Sequence, residues 1–435
     1  MIVAIYSFGL KLYGGLIRLA SLWNPKARNL HERWLRDQHR GRGEIAHQID
    51  GKPVESFELV WIHCASLGEF EMAKPIAAAL QAASSQRHVL FSFFSPSGYN
   101  YAQLNTNQTK VYLPLDGRDS AKRWHAQWQP ETAIFIRYEF WYHHLKTTLE
   151  NNIPTFALGV SLRPNHFLFS AIASPWKTLL KNLHGIGLIN EAMTALAKRN
   201  DFNNAFLFGD PKFNRAFDRT QQPPSPHPTL HPWLIQKPTL ILGSAWMPEI
   251  ALLKSFIEQH PHALKDWQIL IAPHDISAEF CNKITAELSA LNPTTFTQGL
   301  ASPDTTQVVI LDTIGQLAEC YRYGTLALIG GAFGKGLHNI IEAAAFGLPV
   351  IFGPNHQKFP EAQQFIEAGF GFSVANESDF ENTLMALIQT QNNSTQDAVR
   401  TPHALSALAQ QFVQTHRADI EKFANLTYPN AQNRT

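Results

Sequence analysis

Four glycines fall within seven residues at Gly330-Gly331-Ala332-Phe333-Gly334-Lys335-Gly336, and Leu337-His338-Asn339-Ile340-Ile341-Glu342 follow directly. A backbone this rich in glycine can approach a ligand closely, and Lys335, His338 and Asn339 add donors. The alanine-rich pattern after it predicts a helix starting near Asn339, with its unpaired N–H groups and positive dipole end aimed at an anion. Glu342, one turn in, is placed to take a ribose diol. Phosphate attached to a sugar is the ligand chemistry this pattern suits. The plainer alternative is a helix N-terminus packed closely on a sheet.

Two carboxylates occupy comparable turns earlier in the chain. Glu69 closes Ser66-Leu67-Gly68-Glu69, just past an apolar run, and Glu139 lies in Ile136-Arg137-Tyr138-Glu139-Phe140-Trp141. A glutamate three residues after a serine at a helix start is an ordinary cap. The same position, on a rigid element at a strand end, also suits a general base that deprotonates a sugar hydroxyl. Local sequence leaves both roles open for Glu69. For Glu139 the alternative is an ion pair with Arg137 or another nearby cation.

The elements that must position these groups follow from alternating β-rich runs and helical stretches, the pattern of a parallel sheet covered on both faces. Strands are predicted at Leu59–His63, Val89–Phe94, Val111–Leu113, Ala133–Ile136, Thr155–Leu158, Gly185–Ile189 and Ala205–Phe208. The alternation resumes at Thr239–Leu242, Gln268–Ile271, Val308–Leu311, Leu326–Ile329, Val350–Phe352 and Gly371–Val374. This predicts an α/β protein of two doubly wound, Rossmann-like domains at 44–216 and 238–401. Ligands are expected in the cleft they face, at strand C-termini. A proline-rich linker spans 217–237 and a helical tail 402–435, able to pack on either domain. The first βα turn carries one glycine, not GxGxxG, which argues against hydride chemistry.

At 435 residues and 45% hydrophobic content the chain supports two cores, and its net charge of +1 gives no electrostatic case for nucleic acid. Three isolated cysteines, Cys64, Cys281 and Cys320, provide no zinc pattern. Residues 1–43 differ from the rest. Met1 to Trp23 is largely apolar but carries Lys11 and Arg18, and Lys26, Arg28, Arg33, Arg36, Arg40 and Arg42 follow. Two internal cations disfavour a spanning helix. An amphipathic anchor followed by a basic stripe for anionic head groups fits better than a signal peptide.

Several blocks, in order, resemble the Kdo (3-deoxy-D-manno-octulosonic acid) transferases of Gram-negative envelope assembly. They are Trp61-Ile62-His63-Cys64-Ala65-Ser66-Leu67-Gly68-Glu69, Ser95-Pro96-Ser97-Gly98, Tyr112-Leu113-Pro114-Leu115-Asp116, Tyr138-Glu139-Phe140-Trp141, Gly209-Asp210-Pro211-Lys212-Phe213-Asn214, Asp312-Thr313-Ile314-Gly315-Gln316-Leu317 and Gly330 through Pro354. The resemblance implies a GT-B glycosyltransferase that moves Kdo from CMP-Kdo to a lipid A precursor (lipid IVA) in lipopolysaccharide core biosynthesis. Inversion, no cofactor, no metal and work at the cytoplasmic face of the inner membrane are implied with it. It selects the base role for Glu69, beside Glu139, with Ser66, Gly68 and Ser97 on the acceptor side. It places CMP-Kdo against His274, Ile314, Gly315, Gly331, Asn339 and Glu342, with Lys212 as the cation for the sugar carboxylate, and the glycine loop itself adds Lys335 and Gly336 to the expected donor site.

Three departures stand out. Ala272-Pro273-His274-Asp275 lacks the arginine that relatives carry before the histidine, Arg163 is displaced by two positions, and Arg137 replaces a frequent glutamate. The cations that meet phosphate and carboxylate are therefore expected among Arg137, Arg163 and Lys335. A GT-B-type nucleotide-sugar epimerase, a transferase for another nucleotide sugar and a non-catalytic binding homologue are the rival readings.

Overall fold

The computed structural model describes residues 1–37, 39–48, 57–225, 227–299, 305–334, 336–392 and 402–427. The chain divides into two compact units. The first comprises Met1–Arg215 and His416–Thr435, and the second Ala216–Thr415.

The first unit holds β1 (Glu58–His63), β2 (Arg87–Phe93), β3 (Gln108–Tyr112), β4 (Thr132–Ile136), β5 (Thr155–Val160), β6 (Gly185–Leu188) and β7 (Ala205–Leu207). They form one seven-stranded parallel sheet in the order β3-β2-β1-β4-β5-β6-β7. Every residue of β2 and β4 is buried, as expected for strands covered on both faces. One face packs Trp61, Trp124, Trp128 and Phe135, and the other packs Phe70, Ile76, Leu80 and Phe91. Ile420, Phe423 and Ala424 of the last helix, Ile420–Thr427, join this second face, so the end of the tail belongs to the first unit.

The second unit holds β8 (Thr239–Ala245), β9 (Gln268–Pro273), β10 (Thr294–Thr295), β11 (Val308–Ile310), β12 (Leu326–Ile329), β13 (Val350–Phe352) and β14 (Gly371–Ser373). Their parallel order is β10-β11-β9-β8-β12-β13-β14. Both sheets reverse direction once, between β1 and β4 in one and between β8 and β12 in the other. Such topological switch points open a crevice at the strand C-termini. The expected strands are present, and only the two-residue edge strand β10 lacked a sequence signal.

The proline-rich stretch is partly structured: one helix, Pro211–Gln221, runs into it and a short one, His231–Leu234, interrupts it. The N-terminal helix, Ile2–Ala20, is long and apolar enough to cross a membrane. One side of it docks on the first unit, through Ile2, Tyr6 and Ile17. Gly14 permits the approach, since a β-carbon there would lie 2.7 Å from Leu115 Cδ1. Tyr6 donates to Asp116 Oδ2 at 2.7 Å, and the same buried carboxylate accepts the His143 and His144 N–H groups at the start of helix Tyr142–Glu150. Ile5, Phe8, Leu12, Leu16 and Leu19, at three- and four-residue spacing, are exposed.

The basic stripe is less open than its sequence implies. Arg42 is buried, bonded to the Gln129 and Phe57 carbonyls and paired with Glu131. Arg40 pairs with Glu44 and Asp37, and Arg28 caps the Ser21 and Leu22 carbonyls at the end of the first helix. Arg36 remains exposed, pairing with Asp37 and bonding Tyr99 Oη.

Candidate functional site

In the first unit the groups of interest gather where β1 and β4 diverge. Ser66 is the N-cap of helix Leu67–Ala83, and Glu69 reaches back to it. Glu69 Oε2 accepts the Ser66 N–H at 3.0 Å and also the Ser66 hydroxyl. Such a cap contributes about 1 kcal/mol. Oε1 of the same carboxylate has no hydrogen-bond partner among the described residues, and the side chain is half-buried. The two roles left open by the sequence are therefore compatible, with one oxygen orienting the carboxylate and the other free to accept a proton. Gly68 beside it is exposed. Ser97 follows β2 at the start of the short helix Pro96–Tyr101, where Ser95 Oγ caps its N–H, and Ser95 N bonds Ala65 O next to Ser66.

Glu139 follows β4. It forms no ion pair with Arg137, whose guanidinium lies 3.8 Å from Asp210 and against Met72 Sδ. Arg137 adopts a left-handed φ of +62°, which turns the chain sharply ahead of Glu139. Trp141 Nε1 donates to Glu139 Oε2 at 2.7 Å, and His63 Nε2 lies 3.7 Å from the same oxygen. At that distance His63 acts through its field, not a hydrogen bond. Burial alone raises the Glu139 carboxyl, but His63 and the Trp141 N–H outweigh it, and the group is held below its ordinary range. His63 is anchored in turn by Ser92 Oγ at 2.8 Å, which also accepts from Trp61 Nε1 at 2.7 Å. Buried Cys64 between the two carboxylates has its thiol pushed well up, first by burial and then by Glu69 and Glu139, so it is no nucleophile.

Lys212 belongs to this unit, in the first turn of Pro211–Gln221, where its N–H bonds Asp210 Oδ1. Arg163 is half-buried after β5.

The switch point of the second unit is built differently. Trp246 follows β8, His274 follows β9, and Gly331 follows β12. The expected helix start at Asn339 shifts to Ile341, and the helix Ile341–Ala345 has only five residues. Asn339 Oδ1 caps the Ile341 N–H. So short a helix carries little dipole, which removes most of the helix-end attraction for an anion.

The N–H groups of the loop's four glycines are also committed. Gly330 N bonds Gly243 O, Gly334 N and Gly336 N bond Gly331 O, and His338 N bonds Gly330 O. Gly331 N donates to Glu249 Oε1 at 2.9 Å. Glu249 is a buried residue the sequence reading passed over. Its Oε2 accepts the Trp246 N–H, so one carboxylate ties the turn after β8 to the glycine loop. Burial raises the Glu249 carboxyl, against the backbone donors that lower it.

Stacked side chains, not free glycine N–H groups, line this turn. Trp246 and His274 stack at 4.3 Å, and His274 and His338 at 4.5 Å, each at 25°. Gly331, at φ +93°, must be glycine: a β-carbon would lie 2.7 Å from His338 Cδ2 and would strike Gly336 O. Gly336 is half-buried, Asn339 is exposed, and Glu342 is half-buried and near enough to Tyr321 to raise its phenol, after burial. Gly315 turns at φ +94° in an open loop beside Ile314, which is 85% exposed. Gly315 also lines a cavity of about 410 Å³ with His227, His231, Glu319 and Tyr323. Lys335 lies outside the described residues.

The chain is similar to known proteins over most of its length. Residues 29–215 match the family model described as 3-Deoxy-D-manno-octulosonic-acid transferase (kdotransferase). The 3-deoxy-D-manno-octulosonic acid transferase of Aquifex aeolicus is 24% identical over 76% of this chain and 86% of its own length. That of Rickettsia prowazekii is 24% identical over 82% of this chain and 77% of its own. Among solved structures, UDP-GlcNAc 2-epimerase from Neisseria meningitidis bound to UDP-GlcNAc superposes with a TM-score of 0.56 at 11% identity, over 82% of this chain and 99% of that one. The last likeness shows the two-domain GT-B fold alone.

Proposed function

We propose, for a chain that belongs to the Kdo transferase family, a complete assignment of roles in moving Kdo from CMP-Kdo to a lipid A precursor during lipopolysaccharide synthesis. The observation that carries it is the half-free carboxylate of Glu69. Its anchored oxygen fixes its direction, and its free oxygen takes the proton of a glucosamine hydroxyl as that hydroxyl attacks the anomeric carbon of Kdo. The bond from that carbon to the CMP phosphate breaks on the opposite face, which inverts the centre. Ser66, Gly68 and Ser97 border the acceptor, and the ionised Glu139 adds negative field where positive charge develops on the sugar ring.

The second unit holds the donor. His274, His338 and Lys335 receive the phosphate, Asn339 and Glu342 the ribose, and Ile314 and Gly315 the base, with Gly331 and Gly336 shaping the loop. Lys212 is assigned to the Kdo carboxylate. Arg137, whose Nη2 lies 3.8 Å from Asp210 and has no hydrogen-bond partner among the described residues, stays a second candidate for it.

The exposed apolar face of Ile2–Ala20 is assigned to the cytoplasmic surface of the inner membrane, with the helix lying on the bilayer. Its docking by Tyr6 to Asp116 supports this over spanning. Purified protein incubated with CMP-Kdo and lipid IVA should add one or more Kdo masses to the lipid, and Glu69→Gln should not. Consumption of CMP-Kdo with no gain in lipid mass would refute the transferase assignment and favour an isomerase.

A further inference from the structure

The three-ring cluster of the second unit contains one hydrogen bond whose direction is fixed by chemistry. Trp246 Nε1 lies 3.1 Å from His338 Nε2. An indole nitrogen can only donate, so Nε2 must present its lone pair, and the ring proton must sit on Nδ1. We propose that Trp246 is a positioning residue that locks His338 as its Nδ1–H tautomer and so presents an N–H donor to the phosphate of the nucleotide sugar.

Three further observations support the lock. The indole is itself fixed: its backbone N–H is held by buried Glu249, and its face stacks on His274. The His338 backbone N–H bonds Gly330 O, and the ring sits over Gly331, where no β-carbon fits. Among the described residues nothing accepts from Nδ1, while the N–H groups of the loop's four glycines are used within the fold. Burial, and then the neighbouring His274, push the His338 imidazole below its ordinary range, which agrees with an unprotonated Nε2. Of the acidic groups at this turn, Glu249 is turned to the Trp246 and Gly331 N–H groups.

The role rests on the donor-site reading above. Had His338 been free to choose, aqueous imidazole would exchange between tautomers and between charge states near neutral pH, and part of the population would offer a lone pair to the phosphate. A fixed donor avoids that repulsion and needs no reorganisation when the leaving phosphate gains charge.

The test uses the full chain, histidine labelled with ¹³C and ¹⁵N, and CMP as the probe. In the wild-type protein the Cδ2 shift and the nitrogen couplings of His338 should report Nδ1–H at pH 7.5. In Trp246→Phe, which keeps an aromatic ring but removes the donor, the signal should move toward Nε2–H, and CMP should bind about tenfold more weakly. Two amide replacements separate position from bulk. His338→Asn puts an N–H near Nδ1 and should keep CMP affinity within about threefold, whereas His338→Gln puts it near Nε2 and should lose about tenfold.

An Nε2–H ring in the wild-type protein that binds CMP overturns this inference alone and leaves the donor reading standing. Equal CMP affinities for the Asn and Gln variants also overturn it. An Nδ1–H ring in a chain that does not bind CMP overturns the donor reading, and with it the function given to the lock.

Discussion

The two switch points share one topology and carry opposite chemistry. Where β1 and β4 part, the C-terminal turns present the carboxylates Glu69 and Glu139. Where β8 and β12 part, they present a glycine loop and the rings of Trp246, His274 and His338. The parallel sheet supplies the crevice in both cases, and only the turn residues decide what it does. In each unit a glutamate three residues past the N-cap closes a capping bond, yet the outcomes differ. Glu69 keeps one oxygen free, whereas Glu249 uses both, on Trp246 N and Gly331 N. A capping glutamate thus keeps an accepting oxygen in one unit and is a fastener in the other.

The sharpest way to break this contrast is Glu69→Gln. It should lower the turnover of Kdo transfer by about 10²–10⁴-fold while leaving CMP affinity unchanged. A fall in CMP affinity instead would place Glu69 with the donor.

Gly331→Ala comes next. Its β-carbon meets the His338 ring and Gly336 O at a φ that L-residues avoid, so CMP binding should be lost by titration calorimetry while the first unit keeps its fold. Normal CMP affinity would mean that the loop is not part of the donor site.

Acid should separate the units. His125 and His144 are buried among Trp61 and Trp124 in the first unit, and burial pushes both imidazoles down to about 3. Each binds fewer protons folded than unfolded, so the stability they permit is fully present above the unfolded value near 6.5 and is lost as pH falls toward 3. Tryptophan fluorescence should therefore report the first unit melting at lower temperature as pH drops below about 6.5. Melting of that signal unchanged between pH 7 and pH 4 would count against it.

Glu249→Gln replaces an acceptor of two N–H groups by an amide with one acceptor oxygen. A loss of about 1–3 kcal/mol is expected, seen as a lower melting temperature and weaker CMP binding, with the pH response of the first unit unaltered. The smallest effect is expected for Tyr6→Phe, which removes one bond to buried Asp116 and should cost about 1 kcal/mol in denaturant unfolding.

The sheets were legible because their strands are buried apolar runs bounded by turns, and such runs survive any tertiary context. The two-residue β10 is too short to leave a pattern. Glu69 was legible because a cap is a local device spanning three residues. Glu249 was not, since its meaning comes from Gly331, 82 positions later. Trp246 depends in the same way on His338, and Asp116 on Tyr6. The helix at Asn339 was misplaced because alanine content predicts helix propensity, whereas the glycine loop and the Asn339 cap decide where the helix begins. The basic stripe misled for a related reason: charge is visible in sequence, but Arg42 spends its charge on carbonyls and Glu131 inside the fold.

Asp116 has a mechanical consequence. It clamps the N-terminal helix through Tyr6 and, with the same carboxylate, starts the helix that follows Glu139. The apolar face of the first helix and the turn bearing Glu139 are therefore fixed to one another as parts of a single jig. A lipid acceptor meeting this unit would find its carboxylates at a set height above that face, so reach into the site is gauged by rigid packing and not by the slack of a tether.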